Sequence, residues 1–448
     1  MKINKLLFPY QIEGIQKALN ILKNWNGVLI ADEMGLGKTF TAINLMDNII
    51  NDPQSSILIV SPAAVKYNWK VEIEQYSLLD ANEYKIIIIE SGKTVIKKDK
   101  NKINIIICNY DLLFRPNVYK QLREIIFNLI IADESHYLKS VDTKRSKAFR
   151  CLKATKKILL SGTPMANRPI DLYGVLSALL SKKELVTLLG QYSTYQEYGK
   201  RYAGGRLITA PFARPFWDFT GASNLKELAM ILHNSIMIRR TKKEVLTQLP
   251  DKTFNKVYLG EENKINSVKA LANINVNDIM LMPVVGTLAE TRHQLGLLKI
   301  KNSVQYIQEI LEATDEKIVI FAYHTEVLEG LSKGLSKYKH VVYTGNTKSK
   351  DRQELVEQFQ TDKDTRLFIG QIVAAGTGIT LTASSHIIFV ETSWGLTDFS
   401  QAVDRCHRIG QKENVLITLL TLKNSIDALV LKSLVKKTKV VTKVIDNV

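Results

Sequence analysis

Residues 28–39 read VLIADEMGLGKT, in which a short apolar run leads through a glycine-rich loop to Lys38 and Thr39. A strand, such a loop, a Lys-Thr pair and a following helix form an arrangement that binds phosphate groups. Glycines let backbone N–H groups curl around the phosphates, and the start of the helix adds its positive dipole. We therefore expect Lys38 to reach the β- and γ-phosphates of a nucleotide and the Thr39 hydroxyl to bind Mg²⁺. The other loop residues expected to contact the nucleotide are Glu33, Met34, Gly35, Leu36 and Gly37.

An acidic pair follows another apolar run. Residues 129–132 read LIIA and lead directly into Asp133 and Glu134. We expect Asp133 to hold Mg²⁺ through water and Glu134 to polarise the attacking water. A single Asp at a strand end is commonly a solvated cap, but this pair together with the phosphate-binding loop indicates ATP hydrolysis. Kinases, transporters and small GTPases also have such loops, so these motifs alone leave open what the hydrolysis drives.

Further apolar runs recur along the chain and form two series. The first comprises residues 28–31, 57–60, 86–89, 105–108, 129–132 and 158–160. The second comprises residues 318–321, 341–343, 367–369, 387–390 and 415–421. Runs that are apolar throughout, without alternation, are typical of strands buried on both faces of a parallel sheet. Intervening segments such as 40–50 have helical spacing, so the sequence predicts an α/β fold with two tandem lobes.

The two series set the expected domain boundaries. Lobe one is expected at residues 1–250, with a helical insertion at about 174–235 where no series of strands is visible. Residues 251–301 are mostly helical in pattern and are expected to form a linker and a protrusion. Lobe two is expected at 302–448, with a C-terminal helix at 424–448 that packs back on the motor. Four aromatic residues of the insertion are expected to form a packed hydrophobic clasp rather than to stack on bases: Phe212, Phe216, Trp217 and Phe219.

The charge balance points to a polyanionic partner. Lys and Arg number 61 against 44 acidic residues, which gives a net charge of +17. A lysine-rich solvated surface, or an AT-rich genome that favours Ile, Lys and Asn, explains the same excess without a ligand, so charge alone leaves nucleic acid open. No run reaches the roughly 18 apolar residues of a membrane span, and the N-terminus does not resemble a secretory signal. We expect a cytoplasmic protein of a bacterium or a virus-infected host cell.

Cysteine usage agrees with that compartment. Cys108, Cys151 and Cys406 are scattered and have no pairing or metal-like spacing, so we expect a reducing environment and no structural metal. Cys406 is expected to be a small buried residue rather than a redox switch.

Two arginines mark the second lobe. Residues 401–411 read QAVDRCHRIGQ, and Arg405 and Arg408 are three apart, which predicts that they share one face of a helix. Such a pair can reach across a cleft to the γ-phosphate as arginine fingers and stabilise the charge that develops in phosphoryl transfer. Gln401 is expected among the nucleotide contacts. Two arginines on a helix are ordinarily surface residues, but here they accompany a complete nucleotide motif.

In combination, these motifs resemble those of helicase superfamily two and, within it, of the SWI/SNF-type ATPases, whose motor consists of two RecA-like lobes. The resemblance runs through nearly the whole chain. Residues 8–11 (FPYQ) look like the motif that reads adenine, with Gln11 on the base. Asp32 matches as well, because the loop of this family reads DEMGLGKT where the general pattern has Gly.

The resemblance also implies roles for further motifs. Residues 61–69 and 109–111 resemble motifs Ia and Ib, which face the DNA backbone in this family, and 161–164 resembles motif III, which couples the ATP site to the DNA track. Residues 317–324 and 374–382 resemble motifs IV and V. The residues with an implied coupling role are His136, Ser161 and Thr163. The residues with an implied DNA contact are Ser61, Asn68, Trp69, Tyr110, His324, Gly376 and Thr377.

Three segments are most similar to the annealing-helicase branch of the family, the SMARCAL type. They are residues 133–140 (DESHYLKS), 167–173 (NRPIDLY) and 219–225 (FTGASNL). Residues 238–240 (IRR) also match the family at the end of its first lobe. Because motif material begins at Phe8, we expect the motor core without an accessory DNA-binding repeat in front of it.

The resemblance implies a monomeric motor that uses ATP and Mg²⁺ to translocate on double-stranded or branched DNA without reading its sequence. Such a motor remodels DNA by annealing strands, moving branches or stripping bound proteins. A strand-separating helicase remains an alternative, although no wedge hairpin is evident in the sequence. A catalytically silent DNA-binding scaffold is a second alternative, which the intact catalytic set disfavours.

Overall fold

The structure is a computed structural model that describes residues 1–50, 52–209, 215–246, 248–259, 286–375, 378–422 and 425–446. Two compact units divide the chain. The first, called lobe 1 below, comprises Met1–Val245 and Lys439–Val448, and the second, lobe 2, comprises Leu246–Thr438. The chain end expected within the second lobe therefore belongs to the first.

A sheet of parallel strands forms the centre of lobe 1. Its first six strands are β1 (Gly27–Ile30), β2 (Ser56–Ser61), β3 (Tyr84–Ile88), β4 (Ile103–Asn109), β5 (Ile126–Ala132) and β6 (Lys153–Leu160). The hairpin strands β7 (Arg206–Ile208) and β8 (Phe216–Asp218) come next in the chain, and β9 (Met237–Ile238) completes the sheet. The strand order is β3-β4-β2-β5-β6-β1-β9. All six runs of the first apolar series are strands, as predicted, whereas the short β9 was not foreseen.

Both faces of this sheet are buried, which explains the uninterrupted apolar runs. Successive residues of a strand point to opposite faces. In β2, Leu58 packs into one apolar cluster, while Ile57 and Ile59 pack into the other. Each face therefore requires an apolar side chain at every second position, and the two requirements together fill the whole strand.

Helices surround the sheet of lobe 1 and cover its two faces. They are α1 (Pro9–Asn24), α2 (Lys38–Ile49), α3 (Lys66–Tyr76), α4 (Pro116–Glu124), α5 (Lys144–Arg150), α6 (Pro169–Leu179), α7 (Lys182–Leu189), α8 (Tyr195–Tyr202), α9 (Leu225–Ser235) and α10 (Lys242–Val245). The local sequence determines where several of these helices begin. Helix α7 begins with a capping box, in which the Ser181 hydroxyl accepts from the Glu184 N–H and the Glu184 carboxylate accepts from the Ser181 N–H.

The region expected as a helical insertion contains helices and also a hairpin. Strands β7 and β8 pair antiparallel, and no pattern in their sequence predicts this hairpin. Trp217 and Phe219 stack with ring centroids 6.2 Å apart, and the Lys200 ammonium lies 4.7 Å from the centre of the Trp217 ring. Phe216, in contrast, is exposed. Phe212 lies outside the described residues.

Lobe 2 has its own parallel sheet. Its strands are β10 (Lys252–Tyr258), β11 (Ile318–Ala322), β12 (His340–Tyr343), β13 (Leu367–Gln371), β14 (His386–Phe389) and β15 (Val415–Thr421), in the order β10-β15-β14-β11-β13-β12. The five runs of the second apolar series are strands, as predicted.

Strand β10 was not foreseen in residues 251–301, where a helical linker and protrusion are expected. It pairs with β15 along its whole length and forms one edge of the sheet. Its sequence, KTFNKVY, is largely exposed and polar. An edge strand buries little of its surface, so the apolar signal that marks central strands is missing.

The helices of lobe 2 are α11 (Gly286–Ala313), α12 (Thr325–Gly334), α13 (Ser349–Thr361), α14 (Ile372–Ala375), α15 (Leu396–Val403) and α16 (Ile426–Ile445). The last residues of α16 belong to lobe 1, where Val444 and Ile445 are buried in its core. Within the described part of the chain, none of the helices is long and apolar enough to cross a membrane.

Candidate nucleotide-hydrolysis site

Three motifs of lobe 1 meet at one edge of the sheet. The phosphate-binding loop follows β1, the acidic pair follows β5, and the segment 161–164 follows β6. These strands are neighbours in the order β5-β6-β1 and run parallel. Carboxyl ends of parallel strands lie at the same edge, which is where open α/β sheets bind ligands. The fold therefore brings the predicted catalytic groups of lobe 1 together.

The loop between β1 and α2 curls around the Lys38 side chain. Gly35 and Gly37 have φ angles of 84° and 71°, in the left-handed region that glycine adopts without strain. The Lys38 ammonium donates to the Asp32 carbonyl at 3.0 Å and lies 3.4 Å from the Glu33 carbonyl. Burial lowers the pKa of Lys38, and nearby carboxylates, first that of Glu134, oppose the shift. A buried cation at the start of a helix is suited to hold phosphate oxygens.

Asp32 has a specific partner in this fold. Its buried carboxylate forms an ion pair with Arg240, whose Nε donates to Oδ1 at 3.0 Å. The Arg240 guanidinium also lies over the ring of Tyr10, whose hydroxyl donates to the Leu36 carbonyl. Arg240 follows β9, so the ion pair fastens the end of that strand to the beginning of the loop.

Two further contacts hold the loop in place. The Glu33 carboxylate accepts from the Lys242 N–H at 2.7 Å. The Gln11 amide donates to the Leu36 carbonyl at 3.1 Å and accepts from the Phe8 N–H at 2.9 Å. Gln11 thus lies against the loop, as its predicted position requires, and its reading of adenine stays a prediction.

The acidic pair is buried and held by hydrogen bonds. The Asp133 carboxylate accepts from the Trp69 indole N–H at 3.0 Å and from the Glu134 N–H at 2.9 Å. Burial, together with the charge of Glu134, raises the pKa of Asp133 to about 6. Glu134 has a φ angle of 49°, a left-handed conformation that is unusual for a residue with a side chain.

His136 connects the acidic pair to the segment after β6. Its Nδ1 lies 3.2 Å from a carboxylate oxygen of Glu134 and 3.3 Å from the Ser161 hydroxyl. That hydroxyl also accepts from the Thr163 N–H at 3.2 Å. The three residues with an implied coupling role are therefore neighbours in the fold, and one imidazole lies between Glu134 and Ser161.

The assembled groups fit a nucleotide with Mg²⁺. The loop offers backbone N–H groups and an ammonium for phosphates, while the Thr39 hydroxyl and the Asp133 carboxylate are the hard oxygen ligands that Mg²⁺ prefers. The buried Lys38 ammonium, which can neutralise phosphate charge, lies near the carboxylates of Glu134 and Asp133.

Arg239 is a functional candidate to which the sequence analysis assigned no role. Its Nη1 donates to the Ala31 carbonyl at 2.7 Å and lies 3.2 Å from the Gly162 carbonyl. Its Nε donates to the Asp446 carboxylate at 2.7 Å. Two adjacent arginines after a short strand, at 239–240, were the available signal, but only the fold reveals that both lie against the phosphate loop.

The predicted DNA contacts of lobe 1 divide into exposed and buried residues. Asn68 is exposed. Ser61 is buried, and Trp69 and Tyr110 are each 1% exposed, so their side chains offer no surface to a duplex in this conformation. The Tyr110 hydroxyl donates to the Asp133 carbonyl at 2.6 Å. Both aromatic residues thus point at the acidic pair instead of at solvent.

The arginines of lobe 2 converge, although not through a shared helix face. Helix α15 ends at Val403, and residues 404–410 form turns, which corrects the prediction of a helix through this motif. Arg405 and Arg408 nevertheless both donate to the Ile379 carbonyl, at 3.2 and 3.3 Å. The turns have their own backbone hydrogen bonds, and the buried Gln411 amide adds one to the Cys406 carbonyl and one to the Ser384 carbonyl of a neighbouring loop.

Other predicted residues of lobe 2 occupy varied environments. Gln401 is buried in α15, and Cys406 is buried as expected, with a pKa that burial raises. His324 follows β11, and its Nδ1 lies 2.7 Å from the buried Glu391 carboxylate. Gly376 and Thr377 lie outside the described residues.

Comparison with known protein families agrees with these arrangements. Residues 10–275 match the SNF2-related domain, and residues 301–410 match the helicase conserved C-terminal domain. The chain belongs to the SNF2-related family. The predicted resemblance to SWI/SNF-type ATPases of helicase superfamily two is thereby confirmed, and so is the fold of two RecA-like lobes.

Curated relatives of this SNF2-related chain include proteins of the predicted branch. The human protein named DNA annealing helicase and endonuclease ZRANB3 is 33% identical over 98% of this chain and 40% of its own length. The Xenopus laevis protein named SWI/SNF-related matrix-associated actin-dependent regulator of chromatin subfamily A-like protein 1 is 34% identical over 97% of this chain and 43% of its own length. The chain thus spans less than half the length of these relatives.

A solved structure similar to this SNF2-related chain is the SWI2/SNF2 ATPase core of Sulfolobus solfataricus in complex with dsDNA. It is 23% identical, covers 99% of this chain and 98% of its own, and has a TM-score of 0.47.

Proposed function

We propose that the chain is a DNA-dependent ATPase that translocates on double-stranded DNA and remodels it by annealing strands, moving branches or displacing bound proteins. The observation that carries the proposal is the assembly of Lys38, Asp133 and Glu134 at neighbouring strand ends of lobe 1. Membership of the SNF2-related family and relatives named annealing helicases support the choice of DNA over other polyanions. The net charge of +17 supports it too.

Each residue of the site has a proposed part in the reaction. Lys38 binds the β- and γ-phosphate oxygens, and Gln11 reads the base. Thr39 and Asp133 hold Mg²⁺, which when bound neutralises charge on the phosphate oxygens. Glu134 orients the attacking water and takes its proton. Because Lys38 and Glu134 are held in place before the reaction, little reorganisation is needed when charge develops.

The arginine pair supplies positive charge for the same reaction. We propose that Arg405 and Arg408 stabilise the charge on the phosphoryl group that is transferred. Their shared acceptor, the Ile379 carbonyl, holds the two guanidiniums close together. An arginine of this kind contributes about 10³-fold or more to the rate in related chemistry.

Recognition of the duplex is proposed to be independent of sequence. Contacts to phosphates position a protein on DNA without reading bases. We propose that the motor acts as a monomer on double-stranded or branched DNA inside the cell that makes it. The intact set of Lys38, Thr39, Asp133 and Glu134 argues against a silent scaffold.

Hydrolysis rates with different DNA structures test the proposal. ATP turnover is measured without DNA and with single-stranded, duplex and forked DNA of equal nucleotide concentration. We expect stimulation by duplex or fork over the DNA-free rate, and little by single strands. Preference for single strands with release of a labelled strand supports a strand-separating helicase instead, and absence of hydrolysis under all conditions supports a scaffold.

A further inference from the structure

Two buried aromatic side chains contact Asp133 from segments that resemble motifs Ia and Ib. Trp69 lies on α3, after β2, and Tyr110 directly follows β4. The sheet order β4-β2-β5 places the ends of these strands beside the acidic pair. The Trp69 indole donates to the Asp133 carboxylate at 3.0 Å, and the Tyr110 hydroxyl donates to the Asp133 carbonyl at 2.6 Å.

The two contacts control different parts of the same turn. Each oxygen of the Asp133 carboxylate has one donor, the Trp69 indole on Oδ2 and the Glu134 N–H on Oδ1, so the carboxylate cannot rotate freely. Tyr110 holds the backbone of Asp133 and also stacks on Tyr137, with ring centroids 5.1 Å apart and planes 5° apart. Tyr137 belongs to the short turn that carries His136. Asp133 is therefore held through its carboxylate and its backbone, and the turn that follows it is held through the Tyr137 ring.

Burial makes these hydrogen bonds effective. Trp69 is packed in the apolar core of lobe 1, and Tyr110 is packed in the apolar cluster on the other face of the sheet. A polar group that is buried without a partner costs free energy, so each donor is strongly held to its acceptor on the acidic turn. Because each ring is packed in an apolar cluster, the position of its N–H or O–H donor is fixed.

We propose that Trp69 and Tyr110 are positioning residues that hold the Asp133 carboxylate in the orientation required for Mg²⁺. They join the segments 61–69 and 109–111 directly to the metal-binding acid, so a shift of either segment is transmitted to Asp133. This inference rests on the proposed function, because it assigns Asp133 to Mg²⁺. It differs from the implied DNA contact of these residues, since both side chains are buried.

The substitution Trp69→Phe isolates the indole N–H while it keeps an aromatic ring in the core. Partners that orient a metal ligand typically contribute about tenfold or more to metal affinity. We expect Trp69→Phe to weaken ADP binding in the presence of Mg²⁺ by about tenfold and to leave ADP binding in EDTA unchanged. Tyr110→Phe removes a backbone contact, and we expect a smaller loss of the same kind.

The matched control is Trp25→Phe. Trp25 precedes β1 and lies at the edge of the sheet opposite to the acidic pair, so Mg²⁺-dependent binding should equal that of the unchanged chain. Titration of a fluorescent ADP analogue, with and without Mg²⁺, is the measurement. Thermal unfolding of each variant checks that it is folded. If Trp69→Phe does not fold, Tyr110→Phe still tests whether the contacts to Asp133 support Mg²⁺-dependent binding.

A double-mutant cycle with Asp133→Asn decides whether Trp69 acts through Asp133. If it does, Trp69→Phe has no further effect on Mg²⁺-dependent binding in the Asp133→Asn background. Equal Mg²⁺ dependence in Trp69→Phe, Tyr110→Phe and the unchanged chain overturns the inference, and so do additive losses in the cycle. Hydrolysis that DNA fails to stimulate refutes the proposed motor separately, because the binding measurements contain no DNA.

Discussion

At the scale of single residues, the structure explains why this chain has Asp32 where the general loop pattern has glycine. The common phosphate-binding loop has glycine at its first position, and this chain has an aspartate whose buried carboxylate is paired with Arg240. The curvature of the loop comes from Gly35 and Gly37, which have left-handed φ angles. An aspartate at position 32 is therefore compatible with the loop. The side chain at 32 serves to attach the loop to β9.

Glu134 is expected to be essential for hydrolysis and dispensable for nucleotide binding. The substitution Glu134→Gln keeps the size of the side chain and removes the base that accepts the proton of water. A general base contributes about 10²- to 10⁴-fold, so we expect turnover to fall by at least about 10²-fold. Steady-state ATPase rates and nucleotide titrations check this result.

The control for this prediction is Glu124→Gln, which changes an exposed glutamate at the end of α4. It should leave both turnover and binding unchanged. Full turnover in Glu134→Gln would falsify the assignment of the base.

Asp133 is expected to lower the stability of the ligand-free protein at neutral pH. Burial raises the pKa of Asp133 from 3.8 to about 6, so the folded state binds its proton more tightly than the unfolded state. The free energy of unfolding therefore falls as the pH rises from about 4 to about 6, and the loss remains above that range. Asn at position 133 can accept only one of the two N–H donors that the carboxylate accepts, so the absolute stability of Asp133→Asn also includes the cost of an unpaired donor. The stability of Asp133→Asn relative to the unchanged chain is expected to rise by about 2 kcal/mol from pH 4 to pH 7.

Denaturant unfolding at several pH values, without nucleotide or metal, measures this effect. Asp142→Asn is the control, since that carboxylate is largely exposed and should show little dependence of this kind. A gain for Asp133→Asn that is as large at pH 4 as at pH 7 would contradict the explanation by burial.

At the scale of elements, the last turns of α16 complete lobe 1. Val444 and Ile445 are buried in its core, His233 Nε2 lies 3.0 Å from the Ile445 carbonyl, and Asp446 pairs with Arg239. Arg239 in turn binds the carbonyls of Ala31 and Gly162 beside the phosphate loop. The end of the chain is therefore connected to the nucleotide site by one arginine.

Ile445→Ala is expected to destabilise lobe 1 although it lies far along the chain from every catalytic motif. Deletion of a buried Ile side chain to Ala costs about 2–5 kcal/mol, because it removes apolar contacts and leaves a cavity. The midpoint of denaturant unfolding reports the loss. Val435→Ala on the same helix is the control, since Val435 is exposed, and it should change stability by less than about 0.5 kcal/mol. Equal stability of Ile445→Ala and the unchanged chain would argue that these residues do not pack in solution.

The burial of each strand explains whether the sequence predicts it. Central strands such as β2 are buried on both faces and therefore carry a continuous apolar signal. The edge strand β10 and the hairpin strand β7 are mostly exposed, and their sequences contain no comparable run. The spacing of two arginines predicts a helix through residues 401–411, but α15 ends at Val403 and the residues that follow form turns.

At the scale of the whole molecule, the charge excess bears on DNA binding. A protein that neutralises several phosphates releases the same number of condensed counterions, so affinity falls steeply as salt rises. With a net charge of +17 and no sequence reading proposed, we expect duplex affinity to fall by at least about 10²-fold between 50 and 200 mM salt. Fluorescence anisotropy with two duplexes of unrelated sequence measures it, and both should give similar slopes.

A flat salt response would count against phosphate contacts as the basis of binding. A large difference between the two duplexes would count against recognition independent of sequence. Substitution of the exposed Asn68 by Ala, compared with the same change at the exposed Asn117 of α4, then tests whether the surface at 61–69 contributes to the affinity.

The sequence by itself determined the two α/β lobes and the chemical identity of the nucleotide site. Buried parallel strands and phosphate-binding loops depend on local residue types, so their signals survive in a single chain. Only the tertiary structure decided which distant residues meet there. Arg240 pairs with Asp32, Arg239 joins the chain end to the loop, and Trp69 and Tyr110 point inward to Asp133. These contacts depend on strand order and on which face each side chain occupies, and neither quantity is encoded in the neighbouring residues alone.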